Sequence, residues 1–186
     1  MIWIERLGIW VAETEVTQHE FQNLMDMNPS NPVGSDLPVE KVTFMEAVEF
    51  CHRLQQKDEA ASLLPSGYGY ALPTDEQWDV YCGNARLDDA ITSQNELRLG
   101  PDTVKSRRPN EYGLYDTRGN VWEWTRTSYD PSLNTPAIRA EFPFAVVQSG
   151  WRRGQVKGLD PNGLVLRGGS WRSKGDLLKK INSWFK

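Results

Sequence analysis

Polar and apolar positions along the chain repeat one arrangement three times: a threonine, a glutamate or glutamine three positions later, then apolar residues at helical spacing. In EVTQHEFQNLMDM, Thr17 stands before Glu20, and the apolar Phe21, Leu24 and Met25 follow at i, i+3 and i+4. A hydroxyl and a carboxylate so spaced cap each other's backbone N–H groups, which predicts a helix beginning after Thr17 and ending at NPSNPVG. TFMEAVEFCHRL sets Thr43 against Glu46, with Ala47, Phe50, Cys51 and Leu54 on one stripe; TDEQWDVYC sets Thr74 against Gln77, with Trp78, Tyr81 and Cys82 on one face. All three stripes are expected to face the core. Strand-like stretches are shorter: IWIE and LGIWVAE near the start, YGYALP before the third helix, AVVQSGW and LVLRGGSW late. Between Gly83 and Val165 turn formers dominate, so most of that region is expected as loop. Trp122, Trp124 and Trp151 fall within it and argue for ordered loops, because disordered segments are poor in aromatics. No internal repeat, low-complexity tract or linker divides the chain, which reads as a single domain over residues 1–186.

Composition narrows the function classes. A domain of 186 residues buries about 70% of its unfolded surface, enough for a real core. Charged residues at 25% and hydrophobic ones at 39% belong to a globular protein rather than a disordered one. The net charge of −4, with basic residues scattered apart from KSRR and WRR, leaves no electrostatic footprint for nucleic acid, and none is expected as a partner. No apolar run approaches the ~20 residues of a membrane helix. Met1 leads straight into IWIERLGIW without a basic-then-apolar leader, so no membrane partner is expected, and the compartment is left open with the cytoplasm as default. Two cysteines build neither a disulfide framework nor a zinc cluster, and the isolated His19 and His52 read as solvated helix residues. The eight tryptophans read as wide aromatic plates in the core.

GLYDTRGNVWEW, residues 113–124, crowds turn formers, two carboxylates and two tryptophans around Glu123. With its neighbours it carries a resemblance. EVTQHEFQNLMDMNPS, LPVEKVTFMEAVEFCHRL, YALPTDEQWD, PNEYGLYDTRGNVWEW and VLRGGSW run in order from Glu15 to Trp171, and together they resemble the formylglycine-generating enzyme, or sulfatase-modifying factor, family. The resemblance implies an α+β, elaborated C-type-lectin-like fold: a small twisted antiparallel sheet, a few helices and much ordered loop.

Enzymes of that family oxidise a cysteine of client sulfatases to formylglycine, using molecular oxygen and a copper ion held by two cysteines that follow the GGSW block. Here the residues after Trp171 are RSKGDLLKKINSWFK, without cysteine, so no catalytic residue is assigned and copper is not expected. Cys51 and Cys82 stand on core-facing stripes and read as small buried hydrophobes. A histidine-rich iron site, as in ergothioneine-type relatives, is likewise unsupported. The last strand of the family, resembling GFR, is not matched. The domain is therefore expected to be shortened there, or remodelled so that Leu177, Leu178, Ile181, Trp184 and Phe185 form a short amphipathic helix over the sheet edge.

The resemblance also implies calcium, with GNVWEW contributing to one site. Asn120 and Glu123 offer side-chain oxygens, and the carbonyl of Val121 or Gly119 together with water would complete a structural shell. The competing reading is structural: Asn120 makes a tight turn, while Glu123 accepts from backbone amides or pairs with an arginine such as Arg167.

Three functions remain open. The first is a non-catalytic module binding a protein, peptide or other ligand, with Trp151, Arg152, Arg153 and Arg172 as candidate binding surface, since Trp and Arg supply most interface hot spots. For these residues ordinary packing with solvated charges is the alternative. The second is a formylglycine-generating oxidase. The third is a C-type-lectin ligand-binding protein of the kind diversified by retroelements.

Overall fold

The computed structural model of the chain describes residues 1–93, 99–128 and 164–174. Two strands open it, β1 (Ile2–Ile4) and β2 (Ile9–Val11), paired antiparallel with Trp3 opposite Trp10. Alternation assigns their faces. Ile4 is fully buried, and Ile2 and Val11 pack against the same core, while Trp3 and Trp10 point outward and lean on each other at 5.3 Å.

The three helices begin where the threonines place them. Helices α1 (Gln18–Met25), α2 (Phe44–Ala60) and α3 (Asp75–Cys82) each carry a complete capping box, at Thr17/Glu20, Thr43/Glu46 and Thr74/Gln77. At the second, the Thr43 N–H donates to Glu46 Oε2 at 2.7 Å and the Glu46 N–H to Thr43 Oγ1 at 3.3 Å. A cap of this kind contributes about 1 kcal/mol. Phe21 of α1 stacks on Phe50 of α2 at 5.5 Å. The expected α2 stripe is only half-covered; Phe44, at its first turn, is the buried residue. On α3, Trp78, Tyr81 and Cys82 join Ile4 and Leu114 in the main core, as the periodicity predicted.

A second antiparallel pair, β3 (Glu123–Ser128) and β4 (Leu164–Arg167), sets Glu123 opposite Arg167 and Trp124 opposite Leu166, with an irregularity before the Ser128–Leu164 pair. It lies against α3 and, through Trp124, against the start of α2: the Trp124 indole donates to Val42 O at 3.1 Å and meets Phe44 edge-on at 5.9 Å. Small antiparallel sheets, three α-helices and long hydrogen-bonded loops among the described residues make this an α+β chain.

Three expectations change. YGYALP forms no strand; its Tyr70 hydroxyl donates to Asp58 of α2 at 2.7 Å, and Pro73 O takes one backbone bond from Arg126. The strand β3 had been read as loop, because EWTRTS follows a run of turn formers. The tryptophans are not all core plates: among the described residues Trp78 alone is fully buried, and Trp3, Trp10 and Trp122 are exposed. AVVQSGW and the residues after 174 lie outside the described residues.

Candidate functional site

The stretch around Glu123 is pinned from both sides. Asn120 sits fully buried at φ 53°. Its Oδ1 accepts from the Asp102 N–H at 2.9 Å, and its Nδ2 donates to Glu15 Oε2 at 2.7 Å and to Asp102 O at 3.2 Å. Its backbone N–H donates to Ile91 O at 2.9 Å, and its carbonyl accepts from Trp171 at 2.8 Å. Gly119 beside it, at φ 88°, lies so close to Ile91 that a Cβ would stand 2.4 Å from the Ile91 carbonyl oxygen. Only glycine fits that approach.

Three carboxylates near enough to raise one another's pKa values flank this turn. Glu15 receives the Val121 N–H at 3.0 Å as well as the Asn120 amide. Asp116, at φ 54° and buried, receives the Lys105 N–H at 2.8 Å. Glu123 Oε2 receives the indole N–H of Trp78 at 2.9 Å, and the Tyr81 hydroxyl donates to the same carboxylate. Although Glu123 is only partly covered as a residue, its carboxyl group lies deep enough that burial pushes it up to about 7, with the Asp116 charge adding to the shift. Burial, then the charges of Glu123 and Asp116, holds Glu15 well above the usual carboxylate range. Asp116 is raised as well, by burial first. Among the described residues neither Glu15 nor Glu123 has an ion pair. The Arg167 guanidinium, the partner expected for Glu123, instead grips Asp75 through two N–H groups, Nη2 at 2.7 Å, and lies over the Trp78 ring at 5.2 Å.

Glu123 Oε1 lies toward two main-chain carbonyls. Around the position where a Cβ on Gly168 would stand, Thr117 O lies at 3.4 Å and Val121 O and Glu123 Oε1 at 3.7 Å. These are hard oxygens, mostly main-chain carbonyls beside buried negative charge, which is the donor set calcium takes. No three His, Cys, Asp or Glu side chains among the described residues form a metal cluster, so carbonyls and water would supply most of a shell. Two of the three residues expected at such a site, Val121 and Glu123, are therefore brought together. Asn120 turns its Oδ1 to the Asp102 N–H and its carbonyl to the Trp171 N–H. Glu15, Asp116 and Thr117 escaped the sequence reading. Asp116 was visible as the other carboxylate of GLYDTRGNVWEW; Glu15, far away in sequence, gave no signal.

The description of a sulfatase-modifying factor enzyme 1-like domain matches residues 3–184. The chain belongs to this formylglycine-generating-enzyme family. Within the family it is 24% identical over 169 residues to the chaperone protein LppX of Paenibacillus barcinonensis, covering 62% of this chain and 60% of that one. It is 29% identical over 119 residues to the mouse inactive C-alpha-formylglycine-generating enzyme 2, covering 52% of this chain and 34% of that protein. The chain thus spans less than two thirds of these relatives. Among solved structures, Treponema denticola variable protein 1 superposes with a TM-score of 0.61 at 27% identity, covering 88% of this chain and 73% of that one. The formylglycine-generating-enzyme-like, C-type-lectin-like fold is the one its motifs imply.

Against the copper chemistry of family enzymes, the cysteines stand as follows. Cys82 is buried in the main core, and Cys51 is half-buried on α2. Burial pushes each thiol up to about 11. On the candidate binding surface, Arg172 is exposed with its guanidinium over the Trp171 ring at 4.5 Å, and Trp151, Arg152 and Arg153 lie outside the described residues.

Proposed function

We propose that this formylglycine-generating-enzyme-like domain is non-catalytic and serves as a module that binds a protein or other ligand. The observation that carries the reading is the state of its thiols. Copper held through sulfur requires paired thiolates that oxygen can reach, whereas Cys82 is packed into the main core and Cys51 lies half-buried on α2. Neither Cys51 nor Cys82 offers that, and the 186 residues contain no other cysteine. The likeness to a mouse protein named inactive and to a bacterial protein named a chaperone supports the same reading. A ligand-binding protein of diversified sequence is a second reading, favoured by the fit to Treponema denticola variable protein 1.

The proposal includes one structural calcium. Glu123, with the carbonyls of Thr117 and Val121 and with water, would hold it. When bound, the ion supplies positive charge beside Glu123, which has no ion pair among the described residues. Glu15 stands behind this shell, bonded to Asn120 and Val121 and so fixing the loop that presents the carbonyls.

The test of the non-catalytic reading is the purified chain mixed with a sulfatase-motif peptide, copper and oxygen, with formylglycine read by mass spectrometry. No conversion is expected. Conversion that persists when Cys51 and Cys82 are both changed to serine would overturn the thiol argument, and conversion lost in that variant would restore the oxidase.

A further inference from the structure

Chemistry that the acidic centre does not absorb gathers in a cleft of about 500 Å³ between the end of α3 and the loop from Arg108 to Arg118. That volume falls within the ~300–1,000 Å³ of small-molecule sites. Its walls are fastened to each other. The Asn84 N–H donates to Glu111 Oε1 at 3.1 Å, and the Glu111 N–H returns a bond to Asn84 Oδ1 at 2.9 Å. Asn110 Nδ2 donates to the last carbonyls of α3, Tyr81 O at 2.8 Å and Cys82 O at 3.1 Å, while its Oδ1 accepts from Tyr112 and Leu114. A cavity built this way is formed before any ligand arrives, so little ordering cost falls on binding.

Its charges are mixed. Arg86, Arg108 and Arg118 line it together with Asp89, Glu111 and Asp116. Arg86 is already engaged, with Asp88 at 3.3 Å and Asp89 at 3.9 Å. Among the described residues Arg108 and Arg118 have no ion pair, and Arg118 Nε is buried without a hydrogen-bond partner. A guanidinium partly stripped of water and lacking a counter-ion is costly, and a carboxylate on its outer nitrogens offsets that cost through charge-assisted bonds. The acidic residues of the same cleft oppose a dianion such as phosphate and favour an ammonium group. Equal numbers of both signs suit a ligand that carries both.

We infer that this cleft binds a small zwitterion of the amino-acid type, either a free α-amino acid or a short peptide, with its carboxylate on Arg108 and Arg118 and its ammonium toward Glu111. The inference rests on the binding-module reading, for which it names a ligand class.

An NMR titration of the ¹⁵N-labelled chain tests it, with glycylglycine as probe and N-acetylglycine, glycinamide and inorganic phosphate as comparisons. The expected result is saturable shifts centred on the amides of Asn84, Asn110, Glu111 and Leu114, with affinity in the millimolar range and about tenfold weaker binding of each singly charged analogue. Arg108→Ala, at an exposed side chain, is expected to weaken glycylglycine at least about tenfold with the remaining spectrum unchanged, and Arg118→Gln to do the same. Should Arg118→Gln fail to fold, Arg108→Ala decides. Absence of saturable shifts, phosphate binding as tightly as glycylglycine, or wild-type affinity in Arg108→Ala would each overturn the inference. Formylglycine formation in the peptide assay would sink the non-catalytic reading without moving these shifts. A silent titration would remove the cleft and leave partner binding elsewhere on the domain standing.

Discussion

Changing Glu123 to glutamine puts the acidic centre to its most direct test. Glutamine keeps an oxygen to accept from Trp78 and turns an amide toward the carbonyls of Thr117 and Val121, so the shape survives while the charge goes. In the metal-free protein, Glu123 titrates near 7 when folded against an ordinary value of 4.5. A carboxyl raised in this way leaves stability intact at low pH and removes it as pH climbs from the unfolded value through the folded one. At 1.36 kcal/mol per pH unit, the penalty fully developed above pH 7 is about 3 kcal/mol. Glu15 adds to it in the same direction, since the Glu123 charge is one cause of its own shift. In EDTA at pH 8, Glu123→Gln is therefore expected to be the more stable protein, by about 6–12 °C in Tm for a chain of this size, with the gap closing toward pH 5. Calcium should close most of this gap. At about a hundred times its Kd it would stabilise the wild type by about 2.7 kcal/mol and the variant by much less. Melting curves at pH 5, 6, 7 and 8, with EDTA and with calcium, read both effects. A gap that does not change with pH, or a wild type that is the more stable protein in EDTA at pH 8, would refute the account of a buried uncompensated charge. A gap that closes as described, with no response to calcium, would leave the charge but remove the ion.

Gly119→Ala forces a side chain onto Ile91 at positive φ and strains two backbone bonds, Gly119 N–H to Gly168 O and Asn120 N–H to Ile91 O, both 2.9 Å; a loss of about 3–5 kcal/mol is expected in urea melts. Asp75→Asn removes the carboxylate that takes two N–H groups of the buried Arg167 and is expected to cost about 3–5 kcal/mol in the same measurement, whereas near-neutral stability would mean that this pair contributes little. With both thiols near 11, labelling by Ellman's reagent at pH 8 is expected to run about a hundredfold slower than for an exposed cysteine and to become fast only in denaturant. Rapid labelling of the folded chain would remove the observation that carries the non-catalytic reading.

What the sequence disclosed was local. Each helix start rests on two side chains three positions apart, so Thr17, Thr43 and Thr74 were readable without tertiary knowledge. The strand β3 was not, because its ladder partner is Leu164–Arg167 and nothing in EWTRTS itself sets a period. The question posed by Trp122-Glu123-Trp124 has a non-local answer. The indole that holds Glu123 belongs to Trp78, Trp122 faces solvent, and Trp124 reaches away to Val42. The family resemblance offered Asn120, Val121 and Glu123 as candidate calcium ligands, but it gave no sign of Glu15, which the fold brings close enough to Glu123 and Asp116 for their charges to raise its carboxyl. Arg167 was the arginine suggested for Glu123; the buried aspartate at the start of α3 takes it.

The bonds of Asn120 also order events in time. Its side chain reaches a glutamate 105 positions earlier, and its carbonyl takes the amide of Trp171. Loops of that size close late, after short-range structure has formed. On a growing chain, the capped helices can appear as soon as their own residues emerge, while the turn at Asn120 stays incomplete until Trp171 has been synthesised. Until then Glu15, Asp116 and Glu123 are ordinary hydrated acids, and their mutual repulsion arises only with the final closure.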